Sequence, residues 1–541
     1  MGRDLDIMGI LRRLVAEPGI TATPSEKKTG DLIFEILSGM DYFQENKELL
    51  GRCLCPGDGL EREVIYGIVR GNSDKTVVLM GHYDVVGIED YGKIKDYAFD
   101  IDLLPEKLNE VDLDESAAED LNSGNWIFGR GAADMKAGLA IDIWLTQELT
   151  KAPIDGNILF LAVPDEESFS VGMRAASRLL QDLKEKYGFT YELCIDCEPA
   201  RRVADKHVMS LGTVGKCMPV VMVQGAKAHI SMCFDGLNPL GVLSDIFRAT
   251  ELCLDFSDEF DGERTMPPTW NYFKDMKYEY DVSLPIRASG YFSVISYHST
   301  PDETMDKLRK ICGDCFDGYV AHMKDVYNKF LQGQKYDTAK GIDYEAAVMT
   351  FRELTEYCQV LDGYENFRAR LYGDMKNKID SNRLNLPQAT LEMMSRTLDF
   401  SGITKPLVLL AFAPPYYSPL RSNNIKGREN KVGKYFEYVR RESEQLYGTK
   451  MLSEEYFCAM TDVSYCALDR SFDHVSFGKN TPLWGDIYEI DFAAVESINI
   501  PSVLFGPWGK DFHQVSERVY KPDVVERIPG LKKSLIEHIF G

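Results

Sequence analysis

Four short apolar runs, residues 76–80, 158–163, 193–195 and 502–505, each lead into a polar cluster. The first meets Gly81-His82-Tyr83-Asp84 and the second meets Asp165-Glu166-Glu167. The third meets Asp196-Cys197-Glu198-Pro199, and the last is followed by Gly506-Pro507 and then His513. Runs of this length bounded by turn residues read as buried strands. They alternate with helical periodicity across the first 215 residues, which predicts a doubly wound α/β sheet. Open sheets of this kind bind ligands beyond the carboxyl ends of their strands. Acids and histidines at four such ends therefore predict one shared site. The segment Gly129-Arg130-Gly131-Ala132-Ala133-Asp134-Met135-Lys136 adds a fifth contribution. Its glycines make a tight turn, and Asp134 is expected to open a helix through Leu149.

Composition excludes several function classes. Lys and Arg number 61 against 85 Asp and Glu, a net charge of −24, which makes nucleic acid and anionic membranes poor partners. No apolar run is long enough to span a bilayer. The N-terminus is charged throughout and lacks the core of a signal peptide. It predicts an amphipathic helix with Ile7, Ile10, Leu11, Leu14 and Val15 on one face. The 12 cysteines are too scattered for a disulfide scaffold, which fits a reducing cytoplasm. The pairs Cys194/Cys197 and Cys312/Cys315 read as buried thiols rather than a zinc ribbon. The acidic run 106–120 reads as a solvated insertion.

Taken singly, an HxD or Glu-Glu pair after a strand is more often a cap or a solvated loop. Together and in this order they form a metal-ligand set. Oxygen and imidazole donors without thiolate suit zinc, with cobalt or manganese as substitutes. Two zinc ions bring +4, ionised Asp134, Glu167 and Glu198 bring −3, and one hydroxide closes the balance. In that arrangement Asp134 bridges, His82 and Glu198 complete one ion, and Glu167 and His513 complete the other. Asp84, two residues beyond His82, is placed to accept the second ring N–H. Glu166 is left over as a general base beside a ligand. The implied reaction is metal-assisted amide hydrolysis without a covalent intermediate.

The segments GHYDVV, GRGAADMKAG, PDEES, CEPA and GPWGKDFHQVSERV resemble the signatures of the dinuclear-zinc exopeptidases and deacylases. That family includes carboxypeptidase G, acetylornithine deacetylase, aminoacylase and succinyl-diaminopimelate desuccinylase. The long insertion between His82 and Asp134, together with TDVSY at 461–465, looks most like the branch named for the arginine-utilisation protein RocB. The resemblance assigns His82, Asp134, Glu167, Glu198 and His513 to metal and Glu166 to catalysis. Asp196 is the rival to Glu198, and the Glu-Pro dipeptide favours Glu198. It also implies a cis peptide at Asp134–Met135 and a smaller α/β lid domain inserted into the catalytic mixed sheet. The expected boundaries are 1–215 for the first catalytic part, 216–424 for an enlarged lid and 425–541 for the second catalytic part.

His229 matches the lid histidine that stabilises the oxyanion; the alternative is an ordinary surface histidine. Asn238 matches a lid asparagine. The usual carboxylate-binding arginine is not evident, and Arg287 stands near its place. His207, His298, His322, His474 and His538 belong to no motif. The resemblance thus implies a cytoplasmic zinc hydrolase of a small peptide, an N-acyl amino acid or an arginine-derived amide, with a homodimer through the lid as an option. The alternative is a regulatory metal- or amino-acid-binding protein that has lost turnover; intact Glu166 and five ligands argue against it.

Overall fold

The computed structural model describes residues 6–277, 279–333 and 342–541. Two compact units share the chain. The first comprises Met1–Val214, Ser418–Asp469 and Ile490–Gly541, and the second Gly215–Tyr417 and Arg470–Glu489.

The first unit is built on a mixed sheet. Its main strands are β1 (Leu50–Leu54), β2 (Glu63–Val69), β3 (Lys75–His82), β4 (Asn157–Val163), β5 (Thr190–Asp196), β6 (Lys206–Ser210), β7 (Met451–Glu454) and β8 (Ser502–Leu504). They lie in the order β1-β2-β4-β3-β5-β8-β6-β7. The central four, β4, β3, β5 and β8, run parallel, whereas β1 and β2 are antiparallel additions at one edge. Central parallel strands are covered on both faces, so they read as continuous apolar runs rather than alternating ones. Val77, Val78 and Leu79 are accordingly fully buried, each contributing about 1.5–3 kcal/mol of transfer free energy. The helix Ala137–Leu149 packs against β3 and β4 and is itself covered by Ile7–Ala16 and Ile528–Phe540. That is why it is apolar all round rather than amphipathic. The opening helix buries Ile7, Ile10, Leu11, Leu14 and Val15, the face its periodicity predicts.

The acidic run 106–120 is less solvated than expected. Leu108 and Ala117 are buried within it, and Leu104 and Leu108 join a cluster with Tyr91, Ile94, Trp126 and Phe128. Its second half forms the helix Glu115–Ser123, capped by Asp114 accepting from the Ala117 N–H at 2.7 Å.

The second unit holds a five-stranded sheet in the order Thr269–Asp275, Arg287–Ser296, Gly215–Gln224, Leu407–Tyr417, Val348–Thr350. Met218, Val220 and Met222 pack with Phe351, Leu354, Leu391, Met394 and Leu398 on one face. Alternate residues of a strand point to opposite faces, and the helix Pro239–Thr250 packs against the same strand. Helices therefore cover both faces, which accounts for the extra helical sequence between 304 and 394. The insertion differs from the expected 216–424 in two ways. It ends at Tyr417 because Leu420 pairs back with Thr213 of the first unit. It also reclaims residues 470–489, where Phe477 packs on Phe412 and Tyr416 and the Phe412 N–H donates to the Asn480 carbonyl at 2.8 Å. Among the described residues, no helix is long and apolar enough to cross a membrane.

Candidate metal centre

Parallel pairing brings the carboxyl ends of β3, β4, β5 and β8 to one edge. His82 lies opposite Val163, and Asp196 lies opposite both Met80 and Leu504. His82 closes β3, Glu166 and Glu167 follow β4, Glu198 follows β5, and His513 lies in the loop beyond β8. Asp134 arrives on the turn after Gly131, whose φ is 70°. A Cβ at Gly131 would stand 2.2 Å from Val85 Cγ1, so only glycine fits there. The regular helix begins at Ala137 rather than at Asp134. Asp134 and Met135 are non-helical and joined by a cis peptide.

Three donor triads form among these residues: His82, Asp134 and Glu198; Asp134, Glu167 and His513; and His82, Glu166 and Glu167. The first two share Asp134, whose oxygens divide between the imidazoles. Asp134 Oδ1 is 3.0 Å from His82 Nε2, and Oδ2 is 3.4 Å from His513 Nε2. Glu198 Oε1 lies 3.5 Å from His82 Nε2, and Glu167 Oε1 lies 3.0 Å from His513 Nε2. Among the described residues, Asp196 joins no such triad. It is buried and pushed well above the carboxylate range by burial and by Asp462.

Asp84 does more than face the histidine. His82 Nδ1 is 3.0 Å from the Asp84 carbonyl oxygen but 3.5 Å from its carboxylate. That carboxylate is occupied elsewhere. It accepts from the Thr21 hydroxyl at 2.9 Å and from the main-chain N–H groups of Glu166 at 3.1 Å and Glu167 at 3.2 Å. Asp84 thus holds the turn that presents both glutamates.

Burial pushes Glu166, Glu167 and Glu198 upward, and neighbouring carboxylates add to each shift. Asp134 is held low despite its burial by His513 and His82, and His513 rises to about 10 beside Asp134 and Glu167. Four carboxylates, Glu198 buried and Asp134, Glu166 and Glu167 half-buried, gather around two imidazoles and make a pocket suited to cations. Hard oxygen and imidazole donors without thiolate match zinc, manganese or cobalt, so the residues present fit such ions.

Close backbone approach sets Glu198. A Cβ on Gly506 would lie 2.3 Å from the Glu198 carbonyl oxygen, and one on Gly138 would lie 2.3 Å from that of Cys197. Gly506→Ala is expected to cost about 1–3 kcal/mol and to weaken metal binding. Unfolding and metal titration check both, and unchanged values would show that the backbone yields without moving Glu198.

Arg130 and Glu517 were not legible as site residues. Glu517 Oε1 accepts from the N–H groups of Ala133 at 3.2 Å and Asp134 at 3.3 Å, and Arg130 Nη1 donates to Glu517 Oε2 at 2.7 Å. The residue types SER after His513 were visible, but nothing local paired Glu517 with Arg130. Asp462 of TDVSY is fully buried, and burial pushes it to about 7.

The remaining candidates lie in the second unit. His229 is exposed, and its Nδ1 accepts the Ser231 N–H at 3.2 Å. Asn238 caps the helix Pro239–Thr250 through the Leu240 N–H. Arg287 is saturated by Gln224, Ser395 and Asp399, leaving it a structural residue rather than a carboxylate clamp. Among the other histidines, His207 is buried against the Gly506 carbonyl at 3.0 Å, and burial lowers it to about 4. His538 stacks on Tyr438.

Residues 97–536 match the model of peptidase family M20/M25/M40. The chain belongs to this family. It is 27% identical to protein RocB of Bacillus subtilis (strain 168), covering 97% of this chain and 93% of RocB. It is 28% identical to protein YqjN of the same organism, covering 97% and 95%. The resemblance to this family and its RocB branch is therefore borne out. Among solved structures, the fold is similar to an M20 family metallo-carboxypeptidase from Sulfolobus solfataricus, with a TM-score of 0.52 at 13% identity over 99% of each chain. Aminopeptidase PepT from Bacillus cereus gives a TM-score of 0.53 at 11% identity, also over 99% of each chain. M20 membership makes the chain a hydrolase, and the mixed α/β architecture is that of its M20 neighbours.

Proposed function

We propose that this M20 hydrolase cleaves the amide bond of a short peptide or N-acyl amino acid at two zinc ions, with Glu166 as general base. One observation carries the reading: the two Asp134 oxygens face different imidazoles, each within a separate donor triad. In it His82, Asp134 and Glu198 would hold one ion, and Asp134, Glu167 and His513 would hold the other. Bound there, such ions supply Lewis acidity toward the scissile carbonyl and acidify water.

The chain's own residues do the rest. Glu166 takes the proton from the attacking water as the new C–O bond forms. It returns that proton to the nitrogen as the C–N bond breaks, so acid and amine leave in balance. Asp84 holds Glu166 and Glu167 by their main-chain N–H groups. The oxyanion role of His229 rests on the family resemblance alone; its Nδ1 accepts from the Ser231 N–H, which leaves Nε2 free of that contact.

The purified protein is expected to hold about two zinc, cobalt or manganese equivalents per chain and to lose hydrolysis on chelation. Elemental analysis and activity against N-acyl amino acids and dipeptides, with arginine and ornithine derivatives included for the RocB relationship, check this. A metal-free protein indifferent to chelators would overturn the reading.

A further inference from the structure

His513 is the proposed ligand least supported by the sheet. It lies nine residues beyond the end of β8, its side chain is 49% exposed, and its φ is 63°. A non-glycine residue in that region persists only when its surroundings over-determine it.

The surroundings come from the insertion between His82 and Asp134. Asp120, on the helix Glu115–Ser123, accepts from Arg518 Nε at 2.7 Å and from Lys510 Nζ at 2.8 Å. These two cations bracket His513 in sequence. Ser116, one helical turn earlier, meets Lys510 at 3.3 Å and Arg518 Nη2 at 3.2 Å. Arg518 is 1% exposed and also holds Asp511 and the Ser516 carbonyl. The Asp511 carboxylate accepts from the Ser516 hydroxyl at 2.8 Å, closing the turn around His513. Trp126 lies beneath both cations, 4.8 Å from Lys510 Nζ and 5.5 Å from the Arg518 guanidinium. The insertion grips the loop a second time through Asp90, which pairs with Arg130 at 2.7 Å, while Arg130 donates to the His513 carbonyl at 3.3 Å.

We infer that the inserted segment is a positioning element for one half of the metal centre, with Asp120 as the residue that sets the His513 loop. This rests on the two-ion reading above and adds an asymmetry to it. Among the described residues, no hydrogen bond or ion pair joins the side chain of His82 or Glu198 to Asp120, Lys510 or Arg518. The triad of Asp134, Glu167 and His513 depends on the clamp directly. Loss of Asp120 leaves the first ion bound and loosens the second.

The test titrates metal-free wild type and Asp120→Asn with Zn²⁺ against a competing chelator, alongside thermal unfolding of the metal-free proteins. Expected is one equivalent of unchanged affinity and one weakened by roughly 10- to 100-fold, the usual cost of losing an outer-shell partner. Asp120→Glu should restore part of the weaker site. Lys510→Met removes one arm of the clamp from a partly exposed position and should weaken the same equivalent to a smaller degree if Asp120→Asn fails to fold. Two equivalents bound as in wild type, or two weakened equally, would overturn the inference while leaving the metal reading intact. Wild type that binds no zinc would remove that reading and the inference with it.

Discussion

Glu166→Gln is expected to lower kcat by a factor of roughly 100 to 10,000, the span general acid–base catalysis supplies, while the protein keeps its metal. The substitution is nearly isosteric and cannot take a proton. It also leaves the turn in place, because Asp84 holds residue 166 by its main-chain N–H rather than by its side chain. The structure makes the metal measurement the decisive half of the experiment. His82, Glu166 and Glu167 form a donor triad of their own, in which Glu166 would be a ligand. A variant that loses turnover and metal together assigns Glu166 to that triad. One that loses turnover alone assigns it to proton transfer. A fully active variant removes the base assignment.

The parts of the site that were legible in the sequence are those set by local pattern. Apolar runs bounded by turn and polar residues located β3, β4, β5 and β8, and the parallel order of a doubly wound sheet brought His82, the Glu166–Glu167 pair and Glu198 to one edge without long-range information. Asp134 was legible through its glycine-flanked turn. The contest between Glu198 and Asp196 turned on a dipeptide, and the geometry favours Glu198 because Asp196 is still within β5 and, among the described residues, joins no donor triad. The missing parts depend on pairing across the chain. Arg130 and Glu517 are 387 residues apart, and Asp120 and Arg518 are 398 apart. No periodicity encodes such a match. The same reason hid the return of residues 470–489 to the second unit, which rests on aromatic packing with a strand ending some fifty residues earlier. Asp84 stands beside His82, its carboxylate 3.5 Å from Nδ1, but its hold on the two glutamate N–H groups beyond β4 joins segments some eighty residues apart, which no local pattern encodes.

Arg62→Met should destabilise the first unit by about 3–5 kcal/mol, the cost of leaving buried charges without their partner. Arg62 is almost fully buried and ties together three carboxyl groups from separate elements. It donates to Asp165 at 2.6 Å, to Glu26 at 2.8 Å and to Asp58 at 2.9 Å. Asp165 precedes Glu166 and adopts a φ of 69°, held there by Arg62 and by its own contact to the Val171 N–H at 3.1 Å. Burial, Asp84 and Asp165 push Glu26 up to about 9 against the pull of Arg62. Without Arg62, the turn carrying Glu166 and Glu167 loses its anchor, and hydrolysis should fall along with stability. Denaturant unfolding measures the first effect. A loss below about 1 kcal/mol, the size of an exposed ion pair, would show that the carboxyl groups shed their charge by protonation instead. Adding Asp165→Asn should return part of the loss, since one fewer buried carboxylate then lacks its cation. Strict additivity of the two substitutions would place the stabilisation in packing of the Arg62 stem.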